Sequence, residues 1–312
     1  VTVAIVDTRQ QFNHPDLAGN NNAALNYDDA NLDWNGDGIG DNNPNVFLPG
    51  GSPNWPGIND SDLDFDGILE ADLLRQQSHG TAVAGIAIGD DDGTGIVGVA
   101  PDATYAAFNF LENPTQSIAN TFSAANIAPI DVFNNSWGAG NTRQFRYGSF
   151  LDLQAVQNAA TNGIFVKSAG NNRDANGTYN GWDRSNFDQL HMRQAIIVAA
   201  TQQSGRVEWY SNPGSNNLVS APVNRTGGGN TWTADVTDVF ANAGDNRGYM
   251  NGNMNPTFNG TSAAAPMVSG VTALMLESNP NLDWRNTQHI LVDTAQKNGL
   301  IDFDGDGIID GG

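Results

Sequence analysis

Cysteine is absent from the 312-residue chain, so no disulfide holds the scaffold and the redox compartment stays undetermined. Basic residues are scarce: 13 Lys and Arg stand against 34 Asp and Glu, a formal net charge of -21. That balance disfavours nucleic acid and anionic membrane partners and makes cations, including calcium or basic peptide segments, the natural counterparts. A solvated surface adapted to salt has the same composition. No run of about 18 apolar residues occurs, so nothing in the sequence reads as a membrane-spanning helix. No signal peptide is visible, and the chain, which does not begin with Met, reads as a processed or trimmed product. No Pro/Gly/Ser-rich linker separates two cores. The length suits one large α/β domain with a substantial core, and residues 1–312 are expected to form it.

The organising stretch is Asn259-Gly260-Thr261-Ser262-Ala263-Ala264-Ala265-Pro266, which leads into a small-residue apolar run through Leu276. The Gly-Thr-Ser opening bends the backbone and places Ser262 in the first turn of a helix, where unpaired N–H groups favour negative charge. A hydroxyl there can attack a carbonyl with its oxyanion stabilised alongside. Pro266 is expected to lie in the first turn, where no N–H partner is lost. An ordinary Ser N-cap gives the same local pattern, and two other stretches decide between the readings.

Asp7 ends the apolar run Val1–Val6, the pattern of a buried parallel strand, so its carboxylate falls at a strand's C-terminal end. Open α/β sheets keep their sites at that edge. His79, one of four histidines, opens His79-Gly80-Thr81-Ala82-Val83-Ala84-Gly85, read as a second small-residue helix with the imidazole at its N-terminal end. A core histidine is the alternative for any single His.

Asp7, His79 and Ser262, in that order and in these blocks, resemble the three signature segments of the subtilisin-like serine proteases. Lys167-Ser168-Ala169-Gly170-Asn171 resembles the oxyanion segment of that family, and Asn135-Ser136-Trp137-Gly138 its substrate-binding strand. The blocks cover the chain from end to end. Ser136-Trp137-Gly138 and residues 276–285 look closest to the kexin/furin branch. The resemblance implies a three-layer fold, a doubly wound, mostly parallel sheet with helices on both faces. It implies that Ser262 attacks the scissile carbonyl of an extended polypeptide, that His79 exchanges the proton, and that Asp7 orients the imidazole. Asn171 would donate to the oxyanion, and Ser136, Trp137 and Gly138 would pair with the substrate backbone. Such proteases are commonly exported behind a signal and a propeptide, which implies an upstream segment as partner and a secreted or periplasmic location. Relatives usually carry a further segment before the first strand, whereas the catalytic Asp here stands at residue 7; the kexin-like branch usually continues into a β-rich domain.

Calcium enters twice. By resemblance, Asp16 in Asn13-His14-Pro15-Asp16-Leu17 and Asp92 in the 89–95 loop belong to a structural calcium site. Independently, three acidic loops share one template with oxygen donors at positions 1, 3, 5 and 9 and Gly at position 6. They are Asp33, Asn35, Asp37 and Asp41; Asp62, Asp64, Asp66 and Glu70; and Asp302, Asp304, Asp306 and Asp310. Alternating hard oxygen donors on a glycine-turned loop suit Ca2+ rather than zinc or magnesium. The first two lie in a long acidic insertion at about 20–75.

Specificity is left open. A basic P1 residue is the kexin-like expectation, but Asn141 and Asn180 align where that branch has the two acidic residues of its S1 pocket, and Thr8 stands where it has an acid near S2. Nearby Asp174, Asp183 and Glu208 offer charge. A catalytically silent, calcium-ordered binding module on the same fold is the competing reading. Strands are expected over 103–110, 131–135, 163–168, 195–200 and 218–221, and helices over 115–126, 147–161 and 284–295.

Overall fold

A computed structural model describes residues 1–8, 10, 11, 14–28, 70–111, 118–138, 150–173, 192–223, 231–235 and 254–296; for 28 and 70–78 it describes the backbone alone. The centre is β1 (Thr2–Asp7), whose run of apolar residues is buried on both faces. Around it assemble β2 (Tyr27–Asp28), β3 (Thr104–Asn109), β4 (Val132–Asn135), β5 (Ile164–Ser168), β6 (Ile196–Thr201) and β7 (Asn217–Pro222), in the order β2-β3-β1-β4-β5-β6-β7. Every pairing in this sheet is parallel. A two-stranded antiparallel ribbon, β8 (Thr233–Ala234) with β9 (Met254–Asn255), lies apart from it in sheet pairing.

The period-2 alternation of β1 divides the core. Val3 and Ile5 join the apolar cluster built with α1 (Glu70–Ile88) and α5 (Thr261–Ser278), while Ala4 and Val6 join the cluster of the other face. That second cluster holds residues of α2 (Ile118–Thr121), α3 (Ala124–Ile127) and α4 (Phe150–Asn162). The last helix, α6 (Trp284–Thr294), rests Trp284 and Leu291 against the first cluster. Helices therefore cover both faces of a parallel sheet, the doubly wound α/β architecture.

Chain order explains where a site can form. From β1 the chain builds β3 on one side and then crosses to place β4 on the other, so the connections leave the β1 edge in opposite directions. A crevice opens at the C-terminal ends of the strands where this reversal occurs. Asp7 ends β1 there, and Ser136 and Asn171 follow β4 and β5 at the same edge.

Three local expectations need correction. α1 begins at Glu70, so His79 sits in mid-helix and not at a helix N-terminus. The Glu-Ala-Asp-Leu-Leu-Arg-Gln-Gln run before it consists mainly of strong helix formers that extend the helix upstream. Pro266 lies in the second turn of α5, past the positions whose N–H groups have no helical acceptor. The helix expected over 115–126 is, among the described residues, two short helices separated at Phe122 and Ser123. Ser123 has the extended backbone of an N-cap, and Phe122 turns into the core against Phe133 and Phe165.

Candidate active site

Asp7 is fully buried at the end of β1, and its Oδ1 accepts from His79 Nδ1 at 2.6 Å and from the Thr8 backbone N–H at 2.8 Å. The neighbouring turn locks the partner helix in place. Thr8 Oγ1 accepts from the Gly80 N–H at 2.9 Å, and Thr81 Oγ1 accepts from the Gln11 N–H at 2.9 Å. Two threonine hydroxyls thus tie the segment that follows β1 to the His79 turn of α1, beside the acid–imidazole pair. The His79 side chain remains 25% exposed and meets the Phe258 ring edge-on, with centroids 5.4 Å apart. Burial works against its cationic form, but the charge of Asp7 and the hydrogen bond to it together outweigh burial, so its pKa is raised above the ordinary 6.5.

The other half of the site is the entrance to α5. Gly260 caps the helix at φ 90°, a conformation that favours glycine, and its N–H donates to Tyr210 Oη at 3.0 Å. Asn171 leans over this turn. Its Oδ1 accepts from Thr261 N at 2.8 Å and from Thr261 Oγ1 at 2.9 Å. With the carbonyl end of the amide occupied in this way, the Nδ2 end is left as the donor that Asn171 offers to the cleft it lines with Ser262. Asn212 in turn braces the turn that carries Asn171: Asn212 Nδ2 donates to Ala169 O at 3.1 Å and Asn212 Oδ1 accepts from Asn172 N at 2.8 Å.

Ser262 is 9% exposed, and its hydroxyl donates to Ser136 O at 3.0 Å. His79, Asn171, Ser262, Trp209, Tyr210 and Phe258 are among the residues lining one cleft of about 430 Å³. A carboxylate-oriented imidazole, a hydroxyl at a helix start and an amide donor meeting in one cleft have the chemical parts of acyl transfer.

Ser136, Trp137 and Gly138 follow β4 outside any strand. The Trp137 carbonyl accepts from Lys167 Nζ at 2.6 Å, while its ring packs against Phe110 with centroids 4.5 Å apart. Sequence patterns did not reveal the roles of Thr8, Thr81, Tyr210 and Asn212, because each acts through hydrogen bonds to a segment remote in the chain. Asn141 and Asn180, with Asp174 and Asp183, lie outside the described residues. Glu208 is fully buried.

The acidic-loop residues Asp33, Asn35, Asp37, Asp41, Asp62, Asp64, Asp66, Asp302, Asp304, Asp306 and Asp310 also lie outside the described residues, and Glu70 is described only as the backbone start of α1. Asp16 and Asp92 do fall within them. Asp16 is buried, its Oδ2 accepts from Ile96 N at 3.1 Å, and the 89–96 loop closes over it so tightly that a Cβ on Gly95 would meet Asp16 Oδ1 at 2.0 Å. Asp92 is turned into its own loop, where Oδ1 accepts from Thr94 N and Thr94 Oγ1. Those two bonds, the hydroxyl's first, hold its carboxyl below the ordinary range. A buried carboxylate wrapped by a loop suits a hard cation, but among the described residues no three His, Asp or Glu side chains gather as a metal cluster.

A model described as the Subtilase family matches residues 1–307. Neuroendocrine convertase 2 of Drosophila melanogaster is 29% identical over 97% of this chain and 40% of its own length. Furin-1 of Xenopus laevis is 27% identical over 96% of this chain and 33% of its own. The chain thus spans well under half of these relatives. The serine protease of Aeromonas sobria, solved in complex with its chaperone ORF2, superposes with a TM-score of 0.72 at 24% identity, covering 96% of this chain and 51% of that one. Family match, sheet order and the buried Asp7 bonded to His79 in the cleft that Ser262 also lines converge: this chain belongs to the subtilase family of serine peptidases.

Proposed function

We infer that the chain is the catalytic domain, over 1–312, of a calcium-dependent serine endopeptidase that cleaves extended polypeptides. The observation that carries the reading is the buried Asp7 carboxylate 2.6 Å from His79 Nδ1 in a cleft that Ser262 also lines. In this reading Ser262 Oγ attacks the scissile carbonyl. His79 takes its proton and returns it to the leaving amine, and Asp7 fixes the tautomer and stabilises the imidazolium. An extended substrate laid along Ser136–Gly138 brings backbone N–H groups to that segment. A donor to Ser136 O would displace the Ser262 hydroxyl from that carbonyl and free it to turn toward His79. Asn171 Nδ2 and the Ser262 N–H receive the oxyanion. Asn171→Leu should lower kcat by about 10²–10³, the magnitude known for the corresponding donor in subtilisin, with KM little changed. Steady-state hydrolysis of a peptide amide checks it; a rise in KM alone would place Asn171 in ground-state binding instead.

Calcium dependence rests on the repeated acidic loops and on Asp16 under its loop. When bound, Ca2+ would supply charge neutralisation and loop order. Asp16 and Asp92 would hold one ion, and the three acidic loops others. Chelation is expected to abolish activity and to open the acidic loops to a second protease, with both effects reversed by added Ca2+. Activity and protease resistance indifferent to chelation would return those loops to solvated surface. Matched Arg-P1 and Phe-P1 peptides decide whether a kexin-like basic P1 preference survives the neutral Asn141 and Asn180. Extracytoplasmic calcium fits a secreted or periplasmic zymogen, and an upstream propeptide is the partner expected for its maturation. The competing reading, a silent binding module, predicts that a fluorophosphonate fails to label Ser262.

A further inference from the structure

A proline in the second turn of a helix leaves one carbonyl without its helical partner. In α5 the missing donor is the N–H at Pro266, and the carbonyl four residues back belongs to Ser262. This carbonyl is buried at the mouth of the site, where an unmatched acceptor costs more than an ordinary hydrogen bond contributes. It is not unmatched. Ser136 Oγ donates to Ser262 O at 3.0 Å, across from β4. The Ser262 hydroxyl in turn donates to Ser136 O, so the two serines exchange bonds between side chain and main chain.

The donor is itself oriented. Asn134 Nδ2 donates to Ser136 Oγ at 3.0 Å, which occupies a lone pair and leaves the Ser136 proton for Ser262 O. Asn134 Oδ1 lies 2.9 Å from Ser269 Oγ, a hydroxyl that also reaches Ala265 O at 3.1 Å within its own helix, and Ser269 stands two turns along α5 on the Ser262 side. Asn134 and Ser269 are fully buried and Ser136 is 3% exposed. The contacts Ser269–Asn134–Ser136–Ser262 therefore link α5, through the end of β4, back to α5 at the residue read as the nucleophile.

We propose that Ser136 acts through its hydroxyl as a positioning residue for Ser262, replacing the helical hydrogen bond that Pro266 removes, with Asn134 setting the direction of that hydroxyl. The proposal rests on Ser262 being the nucleophile. Because the Ser262 carbonyl fixes the first turn of α5, losing its donor lets that turn tilt toward another partner and carries Oγ with it. A displacement of about 1 Å at a reacting atom costs on the order of 10²-fold in rate, and partial relaxation makes about tenfold the expectation.

The test is a cycle on Ser136 and Pro266. Ser136→Ala should lower kcat about tenfold, counted per fluorophosphonate-titrated site, with KM within about twofold, and Ser136→Thr should keep most of the rate. Pro266→Ala restores an N–H that can serve Ser262 O from within the helix. In that background Ser136→Ala should change kcat by less than about twofold, a comparison that stands even if the Ser136→Ala single variant folds poorly. A tenfold further loss in the Pro266→Ala background, or an unchanged kcat in Ser136→Ala, overturns the positioning role. Mass spectrometry of the labelled parent chain separates the two readings. Label on Ser262 with such a kcat pattern rejects the positioning role alone, whereas label elsewhere rejects Ser262 as nucleophile.

Discussion

Ser262→Ala is expected to lower kcat by on the order of 10⁶, the scale on which subtilisin loses activity when its nucleophile is removed. The loss is confined to chemistry. The substitution removes Oγ and its bond to Ser136 O but leaves the Ser262 carbonyl bonded to Ser136 Oγ, and the site is buried in a well-packed helix turn. One neutral hydrogen bond contributes about 1 kcal/mol, so the melting temperature should move by only a few degrees. Casein and peptide hydrolysis measured beside a thermal melt check both halves. A variant that keeps activity within tenfold of the parent would refute the acyl-transfer mechanism through Ser262, whereas inactivity with collapse of the fold would show nothing about chemistry and require Ser262→Cys, which retains the shape.

Asp7→Asn is expected to lower kcat by about 10⁴ and to shift the pH dependence as well. Asp7 Oδ1 receives His79 Nδ1 and the Thr8 N–H together, and a neutral amide keeps the shape while removing the charge. The imidazole must be neutral to accept the Ser262 proton, and Asp7 raises its pKa above 6.5. The acid limb of kcat/KM should therefore lie above pH 6.5 in the parent and move down in Asp7→Asn. The same pair links to stability. A histidine whose folded pKa is raised stabilises the protein below its unfolded value, and that contribution is lost as pH rises through the folded value. An acid limb at the same pH in both proteins would mean that another group controls activity.

The candidate site divides between what neighbouring residues encode and what distant ones supply. VAIVDT reads as a buried strand ending in a carboxylate because a parallel strand covered on both faces is apolar until it leaves the sheet, and β1 is that strand. NGTSAAAP reads as a turn into a buried helix because small residues and a positive-φ glycine permit little else, and α5 follows. The position of His79 misled, since the small residues after it mark close packing and not a helix start; the helix formers of 70–78 carry α1 further upstream. Pro266 misled for a related reason. Proline in a second turn is unfavourable from the helix alone, and the donor that tolerates it, Ser136, is 126 residues away in sequence from the carbonyl it serves.

The sequence alone therefore determined the α/β class, the family and the order of the chemical groups, because strand burial, glycine turns and motif spacing are local properties. Tertiary structure alone decided which groups meet and how they are held. Thr8 binding Gly80, Asn171 turning its carbonyl to Thr261, Asn212 bracing the turn that carries Asn171, and Ser136 closing the gap left by Pro266 are all contacts between segments far apart in the chain. Each depends on the register of parallel strands and on the docking of α1 and α5 against one face of the sheet, and no residue's own neighbours encode that register.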